Sequence, residues 1–444
     1  MMLRRFFYSF LTFVILVQTG RTQGIDTTRL SEYFDTLAAN NKFMGSVALL
    51  KEGQIIYTKQ VGFAELETKK EPNNNTKYRI GSVSKLFTAT LIFKAIEEGK
   101  VSLNETIDNY FPSIENSEQI TISNLLNHRS GIHNYTDDKD EFLSYHTNPK
   151  TKAEMVALIA QGGSDFVPNT KAAYSNSNYV FLSYILEEVF QSSFSTVLKE
   201  HITEPLHLVN TFFGTPININ NNESYAYTLG REWMKMDETH SSIDLGAGGI
   251  VSTPTDLVLF AYALFNKKIL SEQSLENMKT IQDGFGMGLF KTPYYNNISY
   301  GHNGEIDGFQ TALRYFEDSK YAFAITANAM DYSLNLISVT IVNALFNQHF
   351  DIPDFRTYNP KPSELNQYVG VYSSETFPVA LTVTKRGKQL EIQASGDSKM
   401  NLQATAKGEF KYEPAGIQVK FIPEKEQMIL KQGGKVSTLT KSVK

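Results

Sequence analysis

Strand-like sequence occurs at two widely separated places, 45–61 and 309–327, with a long and mostly helical stretch between them. This pattern narrows the fold more than any other feature of the chain. The first stretch reads as a hairpin, 45–50 and 54–61, turning at Glu52-Gly53. The second reads as two strands, 309–316 and 321–327. Apolar spacing predicts helices over 30–39, from Val83 to a glycine stop at Gly99, and over 121–126, 152–159, 180–198, 255–264 and 334–346. Strands at both ends with helices between them predict an α+β fold. One antiparallel sheet with flanking helices is completed by both ends of the segment, and a helical region is inserted between them.

The pattern changes near residue 351. Pro353, Pro360 and Pro362 mark an extended linker. Beyond it, short alternating segments at 379–384, 389–393, 401–405, 416–421, 428–431 and 436–439 predict a small all-β barrel or sandwich. The expected division is a leader at 1–23, a main domain at 24–350, a linker at 351–362 and a β domain at 363–444.

At the N-terminus, Arg4 and Arg5 precede an apolar run from Phe6 to Val17, with small residues at Thr19 and Gly20. That order reads as a secretory signal and predicts a secreted or periplasmic protein. The run is short for a membrane span, which needs ~20 apolar residues, so membrane attachment is expected only if the leader stays uncleaved. The chain has no cysteine, which excludes disulfides, thiol chemistry and a lipoprotein anchor. A net charge of −5 argues against a nucleic-acid surface. No metal-ligand or cofactor motif is present, and none is expected.

Three short segments carry candidate chemistry. Ser82-Val83-Ser84-Lys85 opens the predicted helix from Val83, with Ser82 in its first turn and Lys85 one turn on, on the same side. A serine hydroxyl needs a nearby base, and a helix N-terminus supplies free N–H groups for a developing oxyanion. Tyr174-Ser175-Asn176 directly precedes an apolar helical run. Tyr174 is expected to share a proton with Ser82 and Lys85, the lysine ammonium drawing the phenol toward its phenolate form. Asn176 offers an amide to substrate or to Lys85. His302-Asn303-Gly304 precedes the second strand pair, and a glycine there lets a ligand backbone approach a sheet edge. Each segment alone has a bland reading: a helix cap with a solvated lysine, a polar loop, and a hairpin turn with a half-buried histidine.

In this order, S-x-x-K, Y-x-N and H-x-G resemble the serine β-lactamase and penicillin-binding-protein superfamily. The resemblance is to its class C-like branch of DD-peptidases, D-aminopeptidases and esterases. The segments Leu125-Leu126-Asn127-His128-Arg129-Ser130-Gly131-Ile132 and Gly246-Ala247-Gly248-Gly249 look like that branch too, so the resemblance spans residues 25–350. It implies that Ser82 is acylated and that Lys85 and Tyr174 transfer its proton, without deciding which is the base. Asn176, His302 and Gly304 would contact substrate. The backbone N–H groups of Ser82 and Glu305 would form the oxyanion hole. Residues 363–444 resemble the lipocalin-like domains attached to some of these peptidases.

Two function classes follow. The first is an exported serine hydrolase acting through an acyl-enzyme on a small-molecule or short-peptide substrate, cell-wall-derived material included. It is of D-amino-acid peptidase or esterase type, with weak β-lactamase activity at most. The alternative is a catalytically silent penicillin-binding or sensor protein with the same fold. Many β-lactamases of the superfamily that this chain resembles carry Lys-Thr-Gly at the third motif, and the histidine here looks more like the peptidase and esterase members. A histidine titrating near its ordinary ~6.5 is mostly neutral at pH 7, so binding of a substrate carboxylate is expected to improve as pH falls toward 6 and His302 protonates.

Overall fold

The computed structural model describes residues 24–214, 216–375, 377–394, 398–412, 415–432 and 435–442; the expected leader lies outside them. Six antiparallel strands make the frame: β1 (Phe43–Lys51), β2 (Gln54–Val61), β3 (Phe290–Tyr294), β4 (Asn297–Ile306), β5 (Phe309–Phe316) and β6 (Tyr321–Met330). Their spatial order is β2-β1-β6-β5-β4-β3. β1 pairs with β6, setting Val47 opposite Ile325 and Leu49 opposite Phe323, so the two ends of the segment close one sheet.

Both faces of this sheet are covered, and the sequence of β1 reflects it. Every β1 residue except Lys51 is buried. A strand packed on both sides reads as an apolar run rather than an alternation. On one face, Val47, Leu49, Phe323 and Ile325 pack with Phe34 and Leu37 of α1 (Thr27–Ala39) and with Ile337 and Ile341 of α6 (Leu334–Leu345). On the other, Ala48, Leu50, Ala322 and Ala324 meet a larger core built by α2 (Ser84–Glu97), α3 (Asn176–Phe190) and α5 (Pro254–Phe265). There the Phe87 and Phe260 rings stack at 3.8 Å. Helix α2 is buried nearly all round, as the core of a large domain requires. Gly99 ends it at φ 67°, its N–H donating to Ile96 O at 3.0 Å.

Three local expectations change. Ser82 lies in a 3₁₀ turn, Gly81–Val83, and the α-helix starts at Ser84. The helix expected over 180–198 is two: α3 ends where Gln191 turns left-handed, and Phe194–Leu198 restarts under the Ser193 cap. His302-Asn303-Gly304 is a segment of β4 itself, not a loop before the strands.

Beyond the prolines, eight antiparallel strands from Gly370–Ser374 to Lys435–Lys441 close into a barrel, Tyr372 of the first pairing with Lys441 of the last. The barrel has its own core, in which the Tyr368 and Phe421 rings stack at 4.8 Å. The linker is pinned to it: Tyr358 N–H donates to Ala404 O at 3.0 Å, and Lys411 Nζ sits 4.9 Å over the Phe355 ring.

Separate cores predict separable folding. A chain ending at Pro360 is expected to melt cooperatively and to react at Ser82 within about tenfold of the full-length rate. Thermal unfolding combined with active-site labelling checks this. Loss of the cooperative transition would make the barrel part of the folding unit.

Candidate active site

The site forms where α2, α3 and β4 converge. Gly81 adopts φ +51°, and a Cβ built there would fall 2.7 Å from Glu305 N. From the other side, a Cβ on Gly304 would fall 1.9 Å from Ile80 O and 3.1 Å from Ser82 N. Only paired glycines allow this backbone contact, which sets the Ser82 and Glu305 amides beside one another. β3 pairs with β4 only up to Gly301, so residues 302–306 present a free edge on that side.

Of the two serines in S-x-x-K, only one is available for chemistry. Ser84 is fully buried and its Oγ accepts the Ile250 N–H at 3.1 Å. Ser82 Oγ lies 3.0 Å from Lys85 Nζ and within hydrogen-bonding reach of the Tyr174 phenol. Lys85 is fully buried, and its Nζ also donates to Asn176 Oδ1 and Ala247 O, each at 2.7 Å. Asn176 is held by both ends: Asn134 Oδ1 accepts its backbone N–H at 2.9 Å, and its Nδ2 donates to Thr136 Oγ1 at 2.9 Å. The Ala247 carbonyl comes from α4 (Ser241–Gly248), which is broken at Leu245 by φ 39°, ψ −129°. A non-glycine residue in that conformation is strained, and such strain often accompanies function.

Burial sets the charge states. It pulls Lys85 down from 10.5 to about 7, against the opposing carboxyl of Asp244. It pushes the Tyr174 phenol well above its ordinary value, with the Ser82 hydrogen bond opposing. The expected drift of Tyr174 toward phenolate is therefore overturned: desolvation outweighs the lysine. Asp244 is itself buried, its Oδ2 has no hydrogen-bond partner among the described residues, and burial and Asp307 raise it to about 8. A neutral Asp244 does not fix Lys85 as an ammonium.

His302 also departs from expectation. It is 4% exposed, and burial, the Lys85 charge and Arg314 pull it from 6.5 to about 3. Its Nδ1 contacts the Asn303 carbonyl, which can only accept, so Nδ1 carries the proton and Nε2 is an acceptor. A neutral ring presenting an acceptor does not bind a carboxylate, and the expected gain toward pH 6 is not supported. Asn303 turns to the opposite face, its Oδ1 accepting from Arg314 Nη2 at 2.7 Å.

The structure thus gathers Ser82, Lys85, Tyr174, Asn176, His302, Gly304 and Glu305 in one place. Several neighbours lie outside the three motifs. His128 Nδ1 accepts the Ser175 N–H at 3.2 Å, and its ring stands 4.5 Å from Tyr174. Arg79, three residues before Ser82, donates to Thr239 O at 2.6 Å and lies 3.5 Å from Asp307. Phe285 and Phe290 complete an aromatic surround. Of these, His128 lay in the segment 125–132 that resembles the family, and Phe285 sits between Gly284 and Gly286. Among the described residues no cluster of acidic or histidine side chains could hold a metal, and no helix is long and apolar enough to cross a membrane.

The family model described as Beta-lactamase matches residues 31–337, and the chain belongs to that family. It is 26% identical over 422 residues to penicillin-binding protein 4* of Bacillus subtilis, covering 88% of this chain and 93% of that one. It is 27% identical over 306 residues to teichoic acid D-alanine hydrolase of Staphylococcus aureus, covering 66% and 72%. The structure of D-amino acid amidase from Ochrobactrum anthropi SV3 superposes with TM-score 0.63 at 25% identity, covering 71% of this chain and 99% of that one. The protein is a serine hydrolase of β-lactamase fold.

If neutral Lys85 is the reactive form, kcat/KM must rise with pH through about 7 and stay high above it, because deprotonation creates the base. The raised Tyr174 phenol places any alkaline decline beyond its ordinary ~10. A pH–rate profile on a neutral substrate checks this; a decline on raising pH from 6 to 8 would contradict it.

Proposed function

We propose that this is an exported hydrolase that forms an acyl-enzyme on Ser82 from D-amino-acid amides or esters lacking a carboxylate next to the scissile bond. The observation that carries the substrate class is His302, buried and neutral where a carboxylate-binding cation would be needed. Two relatives point the same way by name, one to D-alanine on teichoic acid and one to D-amino acid amides. Export rests on Arg4, Arg5 and the apolar run after them. N-terminal sequencing of the secreted chain tests it.

The lysine geometry suggests the proton route. Asn176 Oδ1 and Ala247 O can only accept, so a neutral Lys85 gives them its two N–H bonds and turns its lone pair to Ser82. Ser82 Oγ attacks the carbonyl as its proton passes to Nζ. The Ser82 and Glu305 N–H groups hold the oxyanion. Tyr174, kept protonated by its burial, donates to the departing amine or alkoxide and recovers a proton from Lys85. Water then repeats the sequence on the ester, releasing the acid and restoring Ser82.

Ser82→Ala is expected to remove turnover and fluorophosphonate labelling by at least ~10³-fold while leaving the melting curve unchanged. Labelling that persists, or maps to Ser84, would sink the assignment. Lys85→Ala and Tyr174→Phe should each slow acylation by roughly 10²–10⁴, and the double variant should be little worse than either, since they handle one proton. Multiplicative losses would mean that they act independently. Nitrocefin turnover should be slow beside that of a D-amino-acid amide. Fast nitrocefin hydrolysis unaffected by His302→Lys would reverse the reading of this position.

A further inference from the structure

Four aromatic side chains close a ring beside Ser82. The Tyr174 and Phe285 centroids are 6.4 Å apart, Phe285 and Phe290 5.5 Å, Phe290 and His302 4.8 Å, and His302 and Tyr174 6.2 Å. Two of the four belong to the proposed chemistry. Phe285 and Phe290 do not, and neither is part of any motif. Both are only half-buried, although a phenylalanine gains most from full burial. They come from separate backbone devices that meet here. Phe285 projects from a tight turn in which Gln282 and Phe285 exchange backbone hydrogen bonds of 2.8 and 3.0 Å, beside Gly284 at φ +90°. Phe290 begins β3 and pairs with Gly301, where the free edge of β4 starts. The wall therefore stands at the end of the edge that carries His302, Gly304 and Glu305. His302 adds a flat uncharged ring to it, and the Tyr174 ring, packed on His128, adds another.

We infer that Phe285 and Phe290 form an apolar subsite that selects substrates bearing an aromatic or large aliphatic group next to the scissile bond, over those with a methyl group only. The inference rests on the Ser82 reading and specifies its substrate class. An apolar pocket discriminates on added carbon atoms by ~10–200-fold, and stacking of offset rings adds to this. The expected preference is thus at least tenfold in kcat/KM.

The test uses full-length protein and three compounds: D-alanine amide, D-phenylalanine amide and D-alanine anilide. The second enlarges the acyl side and the third the leaving side, so the favoured compound shows which side of the bond meets the wall. Rates are expressed per site labelled by fluorophosphonate. The wild type should favour at least one aromatic compound over D-alanine amide by tenfold or more. Phe290→Ala and Phe285→Ala should each bring that ratio close to one, and Phe290→Leu should retain most of it. No preference in the wild type, or a ratio unchanged in both alanine variants, would overturn the inference. Absence of labelling at Ser82 in the wild type would instead overturn the underlying assignment. If an alanine variant misfolds, loss of labelled sites reveals it, and Phe285→Gln and Phe290→Gln, which keep the bulk but not the apolar surface, then decide: each should bring the ratio close to one, and a ratio unchanged in both is the overturning result.

Discussion

Backbone contact between the Ile80–Ser82 turn and Gly304–Glu305 of β4 has no slack. No side-chain atom fits between them: a single methyl on Gly304 would overlap Ile80 O, and one on Gly81 would overlap the Glu305 peptide. Two N–H groups from segments more than two hundred residues apart in the chain come to one spot because both glycines are present. Buried charge holds the arrangement from behind. Asp307, at the tip of the β4–β5 hairpin, accepts the backbone N–H of Thr239 at 2.8 Å and its hydroxyl at 2.6 Å. Arg79, in the strand that feeds Ser82, reaches Thr239 O and Glu238 and faces Asp307. The segment so fixed leads into α4, whose Ala247 carbonyl holds Lys85. The Ile80–Ser82 turn, the Gly304–Glu305 edge and the Ala247 acceptor of Lys85 are therefore tied through one ionic knot. Breaking a buried pair of this kind costs far more than an exposed one.

The second constraint is desolvation. Moving Lys85 from 10.5 to about 7 corresponds to roughly 5 kcal/mol of differential stabilisation of its neutral form. The same dryness keeps Tyr174 protonated and His302 uncharged. One physical cause thus distributes the protons. The amine becomes able to accept, the phenol keeps a proton to give, and the imidazole is held out of the charge balance. Pairs of titratable groups pushed apart by their surroundings are how one site performs acid and base steps at a single pH.

Much of this was legible in the chain. The hairpin at 45–61, the long helix after Ser82, the strand pair at 309–327 and the change of period after the prolines each follow from local spacing, and spacing reports local structure. Ser82, Lys85 and Tyr174 stood out because they recur as motifs. What could not be read was tertiary. Nothing in the sequence says that Lys85 and His302 are dry, so their ordinary pKa values were the wrong starting point for the phenol and for the imidazole. The break between Phe190 and Phe194 hid in a run that is apolar on both sides of Gln191. Asp244, Arg79 and Asp307 are unremarkable charged residues until the fold buries them together. Phe285 and Phe290 belong to no motif, and only because β3 begins at Phe290, opposite Gly301 of β4, do they stand beside the open edge.

The polarity of the third motif then follows from its position on the sheet. His302 and Leu313 are cross-strand partners, so the imidazole shares the face that packs against α2 and the helical core. Asn303 points the other way, to Arg314. On the helical face the ring packs against Tyr174 and Phe290, and it is burial there, with the Lys85 and Arg314 charges, that opposes a second cation. With Nδ1 engaged by Asn303 O, the remaining nitrogen is a neutral acceptor. A lysine reaching from this strand would bring a mobile ammonium with three donors; this histidine brings an apolar surface with one acceptor. At this position on the strand, histidine therefore offers the cleft a neutral acceptor and not a cation.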